Sequence, residues 1–435
     1  MAAVPPNRRR SRSAQIRRRR AGALALTLIG ALVVIAAVGL FAGWFSSAGH
    51  TTITTRTQAP APVVPPRPAP TPAISTASWP TFGNTPDNTR SAANVDSTLP
   101  LRTLWTTNTR RLIELPPVIG GGRVIVGNYG YAVAIDQQTG TILWKHAVGA
   151  NIAASPALTG LPGTATADEP QRAIFATMAG HVLALDPATG APIWTVALGS
   201  SVETSPLVLG DGVFVGTRAG QVVRISLTTR RIIWQDQTGG SVKGAISRDG
   251  NDIVFGNYAG EVTAVNPATG GVVWRAYDPG GSSGTFYGAA AVTEGRIYIG
   301  NTNGSVMALN AASGRTIWVQ QTGGYVYSSP AVADGLVFIG SYDHNLYALS
   351  ATLGRVVWRQ DLGAPISGSP SVIGGMVWIA TLGQTAASGH TYAMNVHTGA
   401  IALTRAAGRY AAPVAIPGLI VDPGLDSVAA LAPAT

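Results

Sequence analysis

The sequence predicts an all-β fold, an eight-bladed β-propeller closed by N- and C-terminal strands and preceded by one transmembrane helix. Three observations carry this. A turn motif ending in tryptophan recurs through the chain at intervals of 39, 50, 40, 40, 44, 40 and 45 residues, counted from Trp105. Each interval holds four short runs with period-2 alternation, which is what a propeller blade needs. Near the N-terminus an uncharged apolar run of 25 residues follows a block of arginines.

Composition narrows the class first. At 435 residues the chain exceeds an ordinary single domain, so several domains or a repeat are expected. Its 46% hydrophobic content excludes a wholly disordered chain, and 11% charged residues exclude a coiled coil. The absence of cysteine removes disulfides, thiolate zinc sites, iron–sulfur clusters, cysteine nucleophiles and a lipidated N-terminal cysteine. The net charge of +10 sits almost wholly outside the repeats: residues 1–20 hold eight arginines and no acid, while residues 79–435 are neutral. The high isoelectric point is therefore no argument for nucleic-acid binding.

Residues 1–20 read as a basic cytoplasmic tail and 21–45 as a membrane anchor, long enough to cross a hydrocarbon core of ~30 Å. Arginines crowd the N-terminal side of this run, so the positive-inside rule places the tail in the cytoplasm and the rest of the chain outside it. A cleaved signal peptide ending near Ser46-Ser47-Ala48 is the rival reading. Residues 46–78 read as an extracytoplasmic linker. Its centre, QAPAPVVPPRPAPTP (58–72), has seven prolines and should form an extended polyproline II spacer of ~45 Å. It reads as a stalk, or as a ligand for a partner that binds proline-rich segments.

Residues 79–435 form the repeat domain. The motif reads DQQTGTILW (136–144), DPATGAPIW (186–194), NPATGGVVW (266–274), NAASGRTIW (310–318) and SATLGRVVW (350–358), with a degenerate copy, SLTTRRIIW (226–234). A seventh, NVHTGAIAL (395–403), has Leu403 at the tryptophan position. The Asp, Asn or Ser that opens each motif can accept hydrogen bonds from its own turn, and Gly supplies the positive φ that closes it. The tryptophans are expected to wedge between blades. Seven complete units leave LPLRTLWTT (99–107) without a blade before it and 412–435 as three strands without a fourth. Pairing these two ends completes an eighth blade and removes both open edges.

The pattern running from Ala134 to Trp144 and from Ala184 to Trp194 resembles the pyrroloquinoline-quinone (PQQ) repeat, or tryptophan-docking motif. The opening SWPTFGNTPDNTRSA (78–92) is similar to the lead-in of many bacterial proteins of that superfamily. The superfamily includes quinoprotein alcohol dehydrogenases and the outer-membrane assembly lipoprotein B scaffolds. The resemblance implies the propeller fold and leaves activity open, because one fold hosts unrelated functions.

Chemistry was sought residue by residue. Asp136 and Asp186 stand where other repeats have Asn or Ser, so they read as turn residues rather than paired catalytic carboxylates. The six histidines show no metal-ligand spacing, and Asp249-Gly-Asn-Asp252 fits a tight hairpin better than a calcium loop. Quinoprotein dehydrogenases carry a calcium held by Glu, Asn and Asp, a catalytic Asp and often adjacent cysteines. This chain has no cysteine and no match to those ligands, so neither catalytic residues nor a PQQ or calcium site is assigned. One set stands out. The residue opening each innermost strand lines the mouth of the central channel, giving Glu114, Ala153, Glu203, Lys243, Tyr287, Tyr327, Ser367 and Tyr410. The bland reading is a solvated lining with a weak Glu203–Lys243 pair. The sharper reading is a recognition site in which Glu114, Glu203, Lys243, Tyr287, Tyr327 and Tyr410 bind a ligand or partner, with Asn257-Tyr258 and 341–344 extending the same face. The sequence thus favours a membrane-anchored, extracytoplasmic, non-catalytic binding or scaffolding module with an envelope protein or peptide partner. A PQQ-dependent oxidoreductase is the alternative.

Overall fold

The computed structural model describes residues 75–279, 284–383, 389–406 and 408–434, which form eight sheets arranged as an eight-bladed propeller. The expected tail, the anchor 21–45 and residues 46–74 of the linker lie outside the described residues; among those described, no helix is long and apolar enough to cross a membrane. Blades 1 to 7 span 118–151, 157–197, 207–237, 247–277, 291–321, 331–361 and 371–405.

Blade 6 shows why the repeat folds as it does. Its four strands, Ala331–Ala333, Leu336–Gly340, Asn345–Ser350 and Val356–Asp361, pair in sequence order. Asp334 and Gly335 both have positive φ, the two-residue hairpin that matches strand twist. LVFIG is buried throughout, whereas the outer strand VVWRQD alternates toward solvent. A bulge between Ala348 and Leu349 brings Trp358 opposite Ala348. Blade 1 departs from four separate strands. Its second and third runs form one continuous strand, Arg123–Asp136, because the turn GNYGY is one residue shorter than GNYAGE at 256–261 and bends only at Gly130.

The motif tryptophans seal the seams, as expected. All but Trp194 lie against the motif glycine of the next blade and donate the indole N–H to that blade, as Trp105 to Gln137 O, Trp144 to Pro187 O, Trp274 to Ala311 O and Trp358 to Val396 O, at 2.8–3.0 Å. The opening Asp or Asn caps the turn, with Asp136 Oδ1 accepting from the Gln138 and Thr139 amides at 3.0 and 2.8 Å. The degenerate copy shows the effect of losing the glycine. Arg230 occupies its place at φ +62, and the indole N–H of Trp194 facing that turn is buried without a partner. Arg230→Gly is accordingly expected to stabilise the fold by about 1 kcal/mol, the penalty of a left-handed non-glycine residue, read from urea melts.

The chain ends close the ring as the blade count requires. Val414–Ile416, Leu419–Pro423 and Ser427–Pro433 form blade 8, and Leu101–Asn108 is its outermost strand, with Leu101 opposite Pro433 and Asn108 opposite Ser427. What the repeat did not foretell is the path of the lead-in. Residues 79–92 run around one end of the channel, and their carbonyls accept from the innermost strand of six blades. Ile119 donates to Trp79 O, Leu158 to Pro80 O, Arg248 to Pro86 O, Val292 to Asp87 O, Val332 to Thr89 O and Val372 to Arg90 O, all at 2.8–2.9 Å. Ser91–Ala92 even adds a parallel fifth strand to blade 7. The channel is plugged at this end.

Candidate functional site

With one end plugged, the channel is a cup. All eight positions singled out at the starts of the innermost strands line one cavity of about 220 Å³, whose floor is formed by Phe82 and Arg90 of the lead-in. Regular interblade bonds fix this ring. Ser155 N–H donates to Ser205 Oγ, Ala289 N–H to Ser329 Oγ and Ser329 N–H to Ser369 Oγ, at 2.8–3.0 Å. Strands approach so closely that only glycine fits at three of the joints: a Cβ on Gly244 would collide with Gly288 O, one on Gly288 would stand 2.8 Å from Ser328 O, and one on Gly368 2.5 Å from Tyr410 O.

A second tier stands above the first. In the turn between the second and third strands, Tyr129, Met178, Arg218, Tyr258 and Tyr342 each donate a backbone N–H to the residue two before a ring position (Leu112, Asn151, Ser201, Ser241 and Tyr325). Asn257-Tyr258 and 341–344 therefore border the mouth as expected, while Tyr129, Met178 and Arg218 were not singled out from the sequence. The shared register of these turns is the signal that would have found them.

Two chemistries divide the wall. On one side Glu203 lies 3.1 Å from Lys243 Nζ and 3.4 Å from Arg218 Nε. The Lys243 ammonium also stands over the rings of Tyr258 and Tyr287, 5.2 and 5.6 Å from their centroids. Farther round, Glu114 accepts from Tyr129 Oη at 2.6 Å. Burial raises the pKa of Glu114, opposed by that hydrogen bond, with the Glu203 charge adding to the rise. The other side is aromatic. Tyr258, Tyr287, Tyr327, Tyr342 and Tyr325 form a continuous chain, with centroids 5.0 Å apart for Tyr287–Tyr327 and 4.9 Å for Tyr327–Tyr342, both edge-on. Tyr410 stands under the Arg409 guanidinium at 5.2 Å.

Burial pushes the Tyr258 hydroxyl up to about 12 and that of Tyr287 higher still, with Glu203 contributing to both. Each is an acid whose folded pKa lies above its unfolded value near 10, so its contribution to stability is complete below pH 10 and is lost as pH rises through the folded values. Stability is thus expected to hold up to about pH 10 and fall beyond it, and Tyr287→Phe should flatten that fall; urea melts between pH 8 and 12 read both.

The repeat implies PQQ as a cofactor, and the donor set of the cup bears on it. PQQ is a flat tricarboxylate, and its calcium needs clustered oxygen ligands. Of the cations at the cup, Lys243 and Arg218 are engaged by Glu203 and Arg90 by main-chain carbonyls, and Glu114 adds a further carboxylate. The tyrosines meet edge-on rather than forming a parallel slot. Among the described residues no three His, Asp or Glu side chains group to hold a metal ion. These residues do not fit PQQ with calcium.

The profile of the family described as outer membrane protein assembly factor BamB matches the chain over residues 102–168, 159–283, 258–352 and 330–418. No curated protein matches it significantly. Among solved structures, BamB from Moraxella catarrhalis is similar with a TM-score of 0.63 and 20% identity, covering 77% of this chain and 100% of its own. Quinohemoprotein alcohol dehydrogenase from Comamonas testosteroni is similar with a TM-score of 0.68 and 15% identity, over 82% of this chain and 80% of its own. The computationally designed Ika8 protein scores 0.64 at 16% identity, over 77% of this chain and 100% of its own. An alcohol dehydrogenase and a designed protein on one fold show that likeness at such identities speaks to architecture alone. The profile matches run over most of the sequence and coincide with the blades seen here, so the chain belongs to the family of the outer membrane protein assembly factor BamB.

Proposed function

We propose that this protein is a non-catalytic binding or scaffolding module of the bacterial cell envelope, held by a single-pass anchor at 21–45 with its propeller outside the cytoplasm. Its cup takes an envelope protein or peptide. The observation that carries this reading is the convergence of a tyrosine chain with the Lys243–Glu203–Arg218 cluster in one blind cavity. Tyrosines offer rigid amphipathic area, and flanking charges orient an incoming polar group. The family profile supports the scaffold reading. The alternative is a PQQ-dependent oxidoreductase, raised by the shared fold of the dehydrogenase neighbours and opposed by the donor set of the cup.

A photo-crosslinking residue at Tyr327 in living cells tests the first, with one at exposed Gln138, on an outer turn, as control. Discrete adducts at Tyr327 alone are expected. Tyr327→Ala should weaken binding of the captured partner by about 2 kcal/mol, roughly thirtyfold. Thermal shift and dye-linked alcohol oxidation with added PQQ and calcium test the second, and turnover there would overturn the scaffold reading. Orientation is tested separately. A reporter that works only outside the cytoplasm, fused after Thr435, should be active, and replacing the arginines at 8–10 and 17–20 by asparagine should weaken that activity. An inactive unmutated fusion would refute the N-in topology.

A further inference from the structure

The lead-in supplies an acceptor to the innermost strands of blades 1, 2, 4, 5, 6 and 7, and two blades are left out. At blade 8 the segment enters, through Ser75 N–H to Pro417 O. Blade 3 is passed over for a different reason. Between Pro80, which serves blade 2, and Pro86, which serves blade 4, the chain turns inward. Phe82 is buried in the floor of the cup, and Asn84 closes the turn at φ +70 with its N–H on Thr81 O. The inward turn leaves Val208 facing a gap. Val208 holds the register position of Leu158 in blade 2, opposite Val213 as Leu158 is opposite Ala173. Among the described residues, however, no lead-in carbonyl accepts from its N–H.

That gap is a pocket of about 190 Å³, walled by Pro80, Pro86, Leu158 and Leu207 and by the tip of the long loop inserted in blade 2, around Ala165. Thr85 belongs to its lining as well, and its Oγ1 is buried without a hydrogen-bond partner. An amide that no lead-in carbonyl meets and a buried hydroxyl without a partner thus belong to a single groove, an arrangement folded proteins seldom leave empty-handed. No charged side chain and no aromatic ring lines the groove among the described residues, so neither an anion nor a stacked sugar or base is matched. The acceptor used at the six equivalent positions is a main-chain carbonyl, and at the two flanking blades it belongs to proline.

We propose that this groove is a second binding site, distinct from the cup, for an uncharged extended peptide segment of a partner chain. The segment carries small apolar residues or proline and places one carbonyl on Val208 N–H and a polar main-chain atom on Thr85 Oγ1. It completes the ring of acceptors by strand addition, with the backbone supplying affinity and the proline and leucine walls supplying selectivity. The site stands whether or not the cup binds anything.

The sequence offers a direct readout. It contains three Leu-Val steps, at 32–33, 207–208 and 336–337. Full-length protein in detergent, labelled with carbonyl-¹³C leucine and ¹⁵N valine, therefore gives at most three selected amide signals. Titration with the capped probe acetyl-Ala-Val-Pro-Val-Ala-amide is expected to move the Val208 signal saturably and leave that of Val337 in blade 6 in place. Thr85→Val should weaken the probe about threefold to tenfold, the usual worth of one hydrogen bond. It should melt no lower than the parent, because it removes an unmet hydroxyl. Ala165→Trp, at an exposed loop position, should block binding with the Val208 signal still in its free place. A stationary Val208 signal with the uncharged probe overturns the proposal. So does an equal response to acetyl-Ala-Glu-Pro-Glu-Ala-amide, inorganic phosphate or N-acetylglucosamine.

Discussion

Replacing Trp105 by alanine is expected to lower the stability of the whole propeller by about 3–5 kcal/mol, the range for large aromatic truncations in cores. Trp105 is 8% exposed and packs in the cluster that joins blades 8 and 1. Its ring lies on Gly140, where a Cβ would stand 2.7 Å from the indole, and its N–H donates to Gln137 O at 3.0 Å. Truncation therefore removes apolar area, leaves a cavity and orphans a carbonyl together. The effect is global because blade 8 is where the two chain ends meet: Leu101–Asn108 is its outer strand and Ser427–Pro433 the strand it pairs with. Deleting 99–107 should go further, exposing the edge of Ser427–Pro433 and inviting aggregation. Deletion of the proline-rich stretch 58–72 is the control and should leave the melt of the propeller unchanged. Urea melts of the full chain decide. If Trp105→Ala and the 99–107 deletion both melted like the parent, closure through blade 8 would be wrong.

That closure was legible because it follows from counting. Each repeat is a local pattern, and an incomplete unit at each end of a ring can only be completed by the other. The cup ring was legible for the same reason. Position along a blade maps onto height in the channel, so eight equivalent residues must converge, and Glu114, Glu203, Lys243, Tyr287, Tyr327 and Tyr410 do. The lead-in was not legible beyond its resemblance. It has no period of its own, because the hydrogen bonds that set its path run to strands 40 to 282 residues away. A segment shaped by distant partners in seven blades shows none of them in its local sequence. Arg90 makes the point: an arginine in a polar stretch reads as a surface residue, yet it is 1% exposed. The merging of two strands into Arg123–Asp136 likewise hangs on one missing residue in a turn, below what strand periodicity resolves.

Arg90 is also where the second large effect is expected. Its guanidinium donates to Pro370 O at 2.6 Å, Phe82 O at 2.8 Å and Ser369 O at 3.3 Å, and lies 4.4 Å from the centroid of the Phe82 ring. Burial pulls its pKa down to about 9, so at neutral pH it still carries its charge, held by carbonyls from both the lead-in and blade 7. A buried charge with all three nitrogens hydrogen-bonded is neutral to folding at best, but deleting it strands its acceptors. Arg90→Ala should lower stability by about 3–5 kcal/mol. Arg90→Met refills much of the volume and should recover only the cavity part, since the three carbonyls stay unmet. Arg90→Lys keeps the charge but cannot reproduce the planar fork, and should fall between alanine and the parent. The position of the damage is testable as well as its size. Val372 N–H donates to Arg90 O, so its hydrogen exchange should accelerate first, ahead of the blade seams far from the plug. With the floor loosened, the cup becomes a passage open at both ends, and a partner that needs a blind cavity loses its seat. If Arg90→Ala melted like the parent and Val372 exchanged no faster, the lead-in would be a passive strap, and the floor of the cup would owe its position to the blades alone.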